Sequence, residues 1–214
     1  MIDTLPIVLL LAGLAGLAIP VGGLLAHLEH IHRAELRTQV RHAIMSFGGG
    51  VLLAAVALVL VPEGMKELPL WSIVLAFIGG AATFLLVDHL IARSNAQAAQ
   101  TMAMLLDFVP EAIALGAAFG GAGKSGPLLA LLIGLQNLPE GFNAYRELRA
   151  SRLRVVMTLL LLTGLATLGP IAATLGFLLL ADHRALVAAL MLFAAGGILF
   201  LMYQDIAPQA RLKR

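Results

Sequence analysis

Residues 101–145 decide the fold, and they read TMAMLLDFVPEAIALGAAFGGAGKSGPLLALLIGLQNLPEGFNAY. Two apolar runs, 101–120 and 127–145, each approach the length of roughly 20 residues that a helix needs to cross a bilayer. Only a short, Gly-rich connection separates them. Acidic side chains nevertheless lie inside both runs, at Asp107, Glu111 and Glu140. The stretch therefore predicts two adjacent antiparallel membrane helices that carry charged groups near their middles.

Similar apolar segments make up most of the remaining chain of 214 residues. Charged residues are only 12% of the sequence, against about 25% in soluble domains. The segments with the length of a membrane helix are approximately 5–26, 43–62, 69–90, 101–120, 127–145, 155–181 and 185–206. Because the connections between them are short, we expect one transmembrane domain, residues 1–214, folded as an all-α bundle of about seven spanning helices.

Lys and Arg are distributed unevenly between alternate connections. Eleven of the 14 lie in the connection 27–42, at Arg93, in 146–154 and in the C-terminal tail. Since cytoplasmic connections are enriched in Lys and Arg, the N-terminus is predicted outside and the C-terminus in the cytoplasm. The net charge of +2 then reflects orientation in a membrane. Membrane lipid is the expected partner, nucleic acid is not, and a bacterial-type inner (plasma) membrane is the expected location.

The frames Asp107–Glu111 and Gln136–Glu140 share one pattern, with side-chain oxygens at the first and fifth positions and proline at the fourth. Side chains four residues apart share a helix face, so each frame can direct two donors at one point. Each proline also frees a backbone carbonyl one turn earlier. A charge at the bilayer centre costs roughly 2.5–3.5 kcal/mol, and neither apolar run contains Lys or Arg to offset it. We expect a bound cation; kinked helices with protonated, hydrogen-bonded carboxyl groups are the alternative.

The paired Pro-Glu frames resemble the motifs of the ZIP (Zrt- and Irt-like) family of divalent-metal transporters. The resemblance extends to the Gly-rich segment 47–62, to Gly169-Pro170, and to the Gly-Ile-Leu sequence that precedes Pro208. It implies an eight-helix fold with the N-terminus outside and the metal between helices four and five. Carried over to this chain, the ligands would be Asp107, Glu111, Gln136 and Glu140.

The chain diverges from the family pattern at several positions. It lacks the usual motif histidines and an eighth helix, Phe108 replaces the motif Asn, and Gly169 stands where Glu often precedes the proline. These differences favour one metal site over a binuclear one. Because the remaining donors are all oxygen, they favour Mn, Mg or Ca, with Fe(II) acceptable, over Zn. The expected substrate is a divalent ion, Zn, Fe(II), Mn or Cd, with its identity open.

Other polar residues are candidates for secondary metal sites or for an ion path. Asn137 retains a neutral donor, and Asn143 continues the helix face that carries Gln136 and Glu140. Asp205 matches a polar position of the family near the end of the last helix. The first connection supplies His27 and His30, which either bind metal or simply lie on a polar helix surface. Asp88, at the end of the third segment, is predicted to be a solvated helix cap.

A weak internal repeat relates 47–62 to 193–208, since each begins with Phe and ends with Pro. It fits either an inverted repeat of the kind found in transporters or the general use of small residues in membrane helices.

The favoured function is therefore a ZIP-like transporter, and the alternative is a non-transporting ZIP-fold sensor or scaffold that binds metal. An enzyme is not expected, because the sequence has no P-loop, no HExxH motif and no legible nucleophile-base arrangement. A homodimer is expected only by analogy with the family.

Overall fold

The computed structural model describes residues 4–29, 34–93, 99–120 and 125–207, which are helical apart from short connections. Helix α1 is Leu5–Leu28, α3 is Leu70–Arg93, α4 is Ala99–Gly120 and α5 is Gly126–Ala150. The other three are interrupted helices. Helix α2 comprises Ala34–Ala55, Val56–Leu60 and Val61–Gly64, and α6 comprises Val155–Ala166, Leu168–Leu175 and Gly176–Leu180. Helix α7 comprises Arg184–Leu201 and Met202–Ile206. The prediction of an all-α bundle is confirmed. Helix α2 begins earlier than the predicted segment and α5 ends later.

Six helices are long and apolar enough to cross a membrane, within Leu5–Leu28, Thr38–Gly64, Leu70–Leu90, Thr101–Gly120, Val155–Leu180 and Arg184–Gln204. The exposed surfaces of these helices carry large apolar side chains, including Leu10, Trp71 and Leu160, which suits contact with lipid. Helix α5 does not have this composition, because Gln136, Asn137, Glu140 and Asn143 interrupt its apolar sequence. The chain is therefore suited to be an integral membrane protein with one polar helix inside the bundle.

The helices pack in two groups. In the first, α1 lies along α5 and also packs on α6, while α4 packs on α5 and α6. In the second, α3 lies along α7, and α2 also contacts α7. The groups meet where α2 packs on α5 and where α4 packs on α7. Helices α4 and α5, which carry the Pro-Glu frames, thus have neighbours in both groups.

Reciprocal glycines allow three helix pairs to approach closely. A Cβ atom at Gly22 of α1 would collide with the backbone oxygen of Leu138, and one at Gly141 of α5 would collide with that of Ile19. The same reciprocal close contact joins α4 to α6, through Gly116 and Gly176, and α3 to α7, through Gly80 and Gly196. Small residues of this kind let backbones come into contact in membrane bundles. Here they hold α1 against α5 and α4 against α6, which fixes the backbones that carry the candidate site.

The two segments of the weak repeat share a local distortion. Each contains a π-helical turn, Val56–Leu60 in α2 and Met202–Ile206 in α7, at the same distance after the leading Phe. In both, the following residue donates its backbone N–H to the first carbonyl of the turn: Val61 to Val56 and Ala207 to Met202. Such turns are rare insertions in α-helices. Their matching position adds a structural similarity to the sequence repeat, whose evolutionary meaning stays a hypothesis.

Contacts between helix ends define two ends of the bundle. At one, Tyr145 and Arg146 near the end of α5 contact His27 and Glu29 at the end of α1. We call this the basic end, because the connections that are rich in Lys and Arg belong to it. At the other, Arg184 Nη1 at the start of α7 lies 3.8 Å from Glu67 Oε1 after α2. The membrane topology, including which end faces the cytoplasm, stays a prediction.

Candidate metal centre

Helices α4 and α5 bring all four predicted ligands into one region of the apolar bundle. Asp107 and Glu111 are one turn apart on α4, and Gln136 and Glu140 are one turn apart on α5. Pro110 and Pro139 lie inside these helices without ending them. The exposed fraction is 3% for Asp107 and 0% for Glu111 and Gln136, whereas Glu140 is partly buried.

The four side chains form two pairs across the helix contact. Gln136 donates a hydrogen bond from Nε2 to Oε2 of Glu111. Asp107 and Glu140 form the other pair, with their carboxyl groups close together at the wall of one cavity. The antiparallel direction explains this arrangement, because the first residue of one frame then faces the last residue of the other. Two carboxyl groups this close repel each other unless a proton or a cation lies between them.

Both frames bury oxygen atoms that lack a hydrogen-bond partner. These atoms are Asp107 Oδ1, Glu111 Oε1, Gln136 Oε1, Asn137 Oδ1 and Glu140 Oε2. Most buried polar atoms in proteins have a partner, and leaving one without costs about 1–3 kcal/mol. Among the described residues only Glu29 and His42 also have such side-chain atoms. The unpartnered acceptors are therefore concentrated where the sequence predicts a cation.

As they stand, these side chains do not yet form a complete metal cage. Among the described residues, no three His, Asp or Glu side chains are grouped closely enough to hold one ion. The pairing gives the reason, since Glu111 is engaged by Gln136 while Asp107 and Glu140 contact each other. An ion would most directly replace the contact between Asp107 and Glu140. Rotation of Glu111 away from Gln136 would then add a third carboxylate.

Asn137 ties the site to α1. Its Nδ2 donates to the backbone oxygen of Ala15 over 2.9 Å, and the residue is fully buried. Its Oδ1 is one of the unpartnered acceptors. Asn137 thus combines an interhelical hydrogen bond with a neutral, unpartnered oxygen in the site region; its role as a metal donor stays a prediction.

Phe108 fills the space beside Asp107 with an apolar ring. Its exposed fraction is 1%. A Cβ atom at Gly16 of α1 would lie 3.5 Å from the ring, and one at Gly169 of α6 would lie 2.5 Å from it. The two glycines therefore make room for the ring between α1, α4 and α6. Phe108 and Gly169, which both diverge from the ZIP pattern, thus pack against each other. They place carbon atoms where a second metal site would need oxygen or nitrogen donors.

A cavity of about 270 Å³ reaches Asp107 and Glu140. It extends between the two helix groups to Asp88, near the end of α3, and to Asn143 on α5. Apolar side chains form most of its wall, including Ile44, Leu52, Phe84, Met104, Ile198, Leu201 and Ile206. Of the four predicted ligands, only Asp107 and Glu140 line it, whereas Glu111 and Gln136 lie outside its lining. The cavity thus reaches the Asp107–Glu140 pair and does not reach the Glu111–Gln136 pair.

The sequence missed the place of Asp88, which was predicted to be a solvated cap. It lines the cavity one turn after Phe84, which lines it too. The spacing of four residues on α3 was the signal that could have placed both on one face.

The other predicted path residues have different surroundings. Asn143 lines the cavity and its Nδ2 lies 2.7 Å from Met45 Sδ. His27 shares a hydrogen bond of 2.9 Å between its Nδ1 and the Tyr145 hydroxyl. Asp205 belongs to the π-helical turn of α7, but its side chain is outside the described part of the structure. His30 also lies outside the described residues.

Comparison with known proteins adds no relative. No protein-family model matches the chain, and no curated protein matches its sequence.

Proposed function

We propose that this chain is a ZIP-like transporter that moves a divalent metal cation across a bacterial-type inner membrane. The ion binds between α4 and α5, with Asp107, Glu111, Gln136 and Glu140 as its ligands. The observation that carries the proposal is the set of five buried, unpartnered oxygens contributed by the two Pro-Glu frames. In an apolar bundle buried acceptors need a donor or a cation, and carboxyl groups that stay charged need a positive partner.

The cavity supports transport in addition to binding. It provides access to Asp107 and Glu140 from the side of the site where Asp88 and Asn143 lie. Beyond Glu111, toward the other end of α4, the buried residues are all small or apolar and offer no polar path: Ala112, Ala114, Leu115, Gly116, Ala117 and Ala118. A site that is open on one side and closed by apolar packing on the other suits alternating access. With the predicted orientation, the open side is cytoplasmic.

The donor chemistry favours a hard cation. The site offers carboxylate and amide oxygens and no imidazole or thiolate, because the chain has no Cys and the frames have no His. Oxygen donors suit Mn, Mg and Ca, and accept Fe(II), more readily than they select Zn. Mn(II) is therefore the substrate that we would test first.

Two measurements test the proposal. Purified protein is heated with Mn, Fe(II), Zn, Cd or Mg, and uptake of the same ions is followed in proteoliposomes. A ligand at 100 times its Kd stabilises the folded state by about 2.7 kcal/mol, so we expect a clear rise in Tm with Mn. Asp107→Asn should abolish both the rise and the uptake. A preference for Zn that survives Asp107→Ala would refute the proposal.

A ZIP-fold sensor or scaffold that binds metal without moving it is the second candidate. The packing of Phe108 against Gly16 and Gly169 favours it, because that contact locks α1, α4 and α6 together beside the site. Metal-dependent stabilisation without any uptake in proteoliposomes would select this candidate over the transporter.

A further inference from the structure

The cavity that reaches Asp107 and Glu140 is mainly apolar, which a path for a hydrated metal ion does not require. Ile44 and Leu52 on α2, Phe84 on α3 and Ile198 on α7 line it from the second helix group. A hydrated ion gains nothing from such a wall. An apolar molecule that leaves water does gain from it.

The polar part of the cavity is acidic. Its carboxyl groups belong to Asp88, Asp107 and Glu140, and its described lining contains no Lys, Arg or His. Asp107 is 3% exposed, and Asp107 Oδ1 and Glu140 Oε2 are buried without a hydrogen-bond partner. A ligand that fits the whole cavity therefore needs a cationic hydrogen-bond donor as well as an apolar body.

We propose that this cavity binds small hydrophobic primary ammonium ions. The ammonium group lies against Asp107 and Glu140, because its three N–H donors can serve the two unpartnered oxygens. The apolar body packs on Leu52, Phe84 and Ile198. The cavity volume of about 270 Å³ is just below the roughly 300–1,000 Å³ of drug-sized sites, so one aromatic ring on a short alkyl chain is the appropriate size.

The inference does not rest on metal transport, but it shares two residues with it. An ammonium ion at Asp107 and Glu140 occupies the place of the metal, so the two ligands should compete. Glu111 separates the two functions, because it belongs to the proposed metal site and does not line the cavity. Ile44 lines the cavity and is not a metal ligand, so a change there should affect amine binding and not metal binding.

The test is the binding of radiolabelled 3-phenylpropylamine to the protein in lipid nanodiscs, after subtraction of binding to empty nanodiscs. We expect saturable binding that Mn(II) displaces. The neutral analogue 3-phenylpropanol and the small ion methylammonium, used as competitors, should each be at least about tenfold weaker, a difference of about 1.4 kcal/mol. Equal competition by 3-phenylpropanol would overturn the proposal, since it would show an apolar or lipid site without a role for charge.

Two pairs of variants locate the site. Asp107→Asn and Glu140→Gln should each weaken amine binding about tenfold or more. Ile44→Asn, at a partly exposed position, should weaken amine binding and leave Mn(II) binding unchanged. Glu111→Gln should weaken Mn(II) binding and leave amine binding unchanged. An equal effect of Glu111→Gln and Ile44→Asn on the amine would refute the assigned cavity. Amine binding without any metal binding would refute the proposed metal transport and leave the amine proposal standing.

Discussion

Gln136 on α5 donates its side-chain amide to the Glu111 carboxylate on α4, which joins the two Pro-Glu helices inside the apolar bundle. Hydrogen bonds between membrane helices contribute about 0.6–2 kcal/mol each. This bond engages Gln136 Nε2 and Glu111 Oε2, whereas Glu111 Oε1 and Gln136 Oε1 remain without hydrogen-bond partners. The pair therefore fixes the helices and still leaves acceptors for a cation.

The charge of Glu111 is the first feature to test. Glu111→Gln keeps the size of the side chain and can still hydrogen-bond Gln136, but it removes one negative charge from the site. We expect the fold to survive and Mn(II) affinity to fall about tenfold or more, equivalent to at least about 1.4 kcal/mol. Metal-dependent thermal stabilisation of the purified variant measures this change.

Glu63→Gln is the matched control for the loss of one carboxylate. Glu63 lies in the last turn of α2 and pairs with Lys66 over 2.8 Å, outside the cavity that reaches the site. The metal affinity of the Glu63→Gln variant should equal that of the parent protein. An equal loss in both variants would mean that general surface charge, and not the buried site, attracts the ion.

The close approach of α1 to α5 depends on the absence of a side chain at Gly141. A Cβ atom there would collide with the Ile19 backbone oxygen and lie 2.8 Å from Ile19 Cα. Because overpacking of this kind costs about 1–3 kcal/mol and here meets backbone, Gly141→Ala should lower the Tm and shift the site on α5. Thermal unfolding in detergent and the Mn(II) affinity both report the change.

Gly50→Ala on α2 is the corresponding control. A Cβ atom at Gly50 has nothing within 4 Å, and no described glycine has a positive φ. Since Ala favours a helix interior over Gly by about 0.8–1.0 kcal/mol, this change should be neutral or stabilising. Destabilisation of both variants to the same extent would contradict the assigned helix crossing.

The sequence predicted the helices, and which polar side chains share a helix face, because these features depend on local patterns. The length of the apolar runs determines the helices, and the spacing of four residues in each frame determines which side chains share a face. That Asp107 would contact Glu140, and Gln136 contact Glu111, follows once the two helices are antiparallel neighbours. The all-helical fold of the described residues was accessible for the same reason.

The wall of the cavity was not predictable, because it depends on contacts between distant segments. Met45, Phe84 and Ile198 come from three helices that are far apart in sequence. Their convergence depends on how α2, α3 and α7 cross α4 and α5. Periodicity within one helix carries no information on that packing, which is why Asp88 was assigned to the surface. The partner of His27, Tyr145, was missed for the same reason.

Phe108 tests whether the apolar packing beside Asp107 supports the site. Phe108→Ala would empty the space between Gly16 and Gly169, at a cost of about 3–5 kcal/mol for a buried ring. We expect a large fall in Tm. Phe47→Ala on α2, where the side chain is 50% exposed, is the control and should change the Tm little. Similar Tm values for the two variants would show that the Phe108 ring is not packed as described.

The contact between α1 and α5 at the basic end predicts a measurable ion-pair coupling. Arg146 Nη1 lies 3.1 Å from Glu29 Oε2, and the side chains are 31% and 11% exposed. The guanidinium group also lies over the Phe142 ring, 5.7 Å from its centroid. This partial burial and the stacking make the pair less accessible to solvent than an ordinary surface pair, so a double-mutant cycle with Glu29→Gln and Arg146→Ala should give about 1 kcal/mol.

The Glu63–Lys66 pair provides the exposed reference for that cycle. Its Lys66 side chain is 61% exposed and the two residues are three apart in sequence, so its coupling should be near the lower end of the usual range, about 0.2 kcal/mol. Raising the ionic strength should reduce the exposed coupling more strongly, because salt screens solvent-accessible charges over about 10 Å at 0.1 M. If the two cycles gave equal energies and equal salt dependence, Glu29 would be no more protected than a surface carboxylate, and the packing of α1 on the end of α5 would have to be revised.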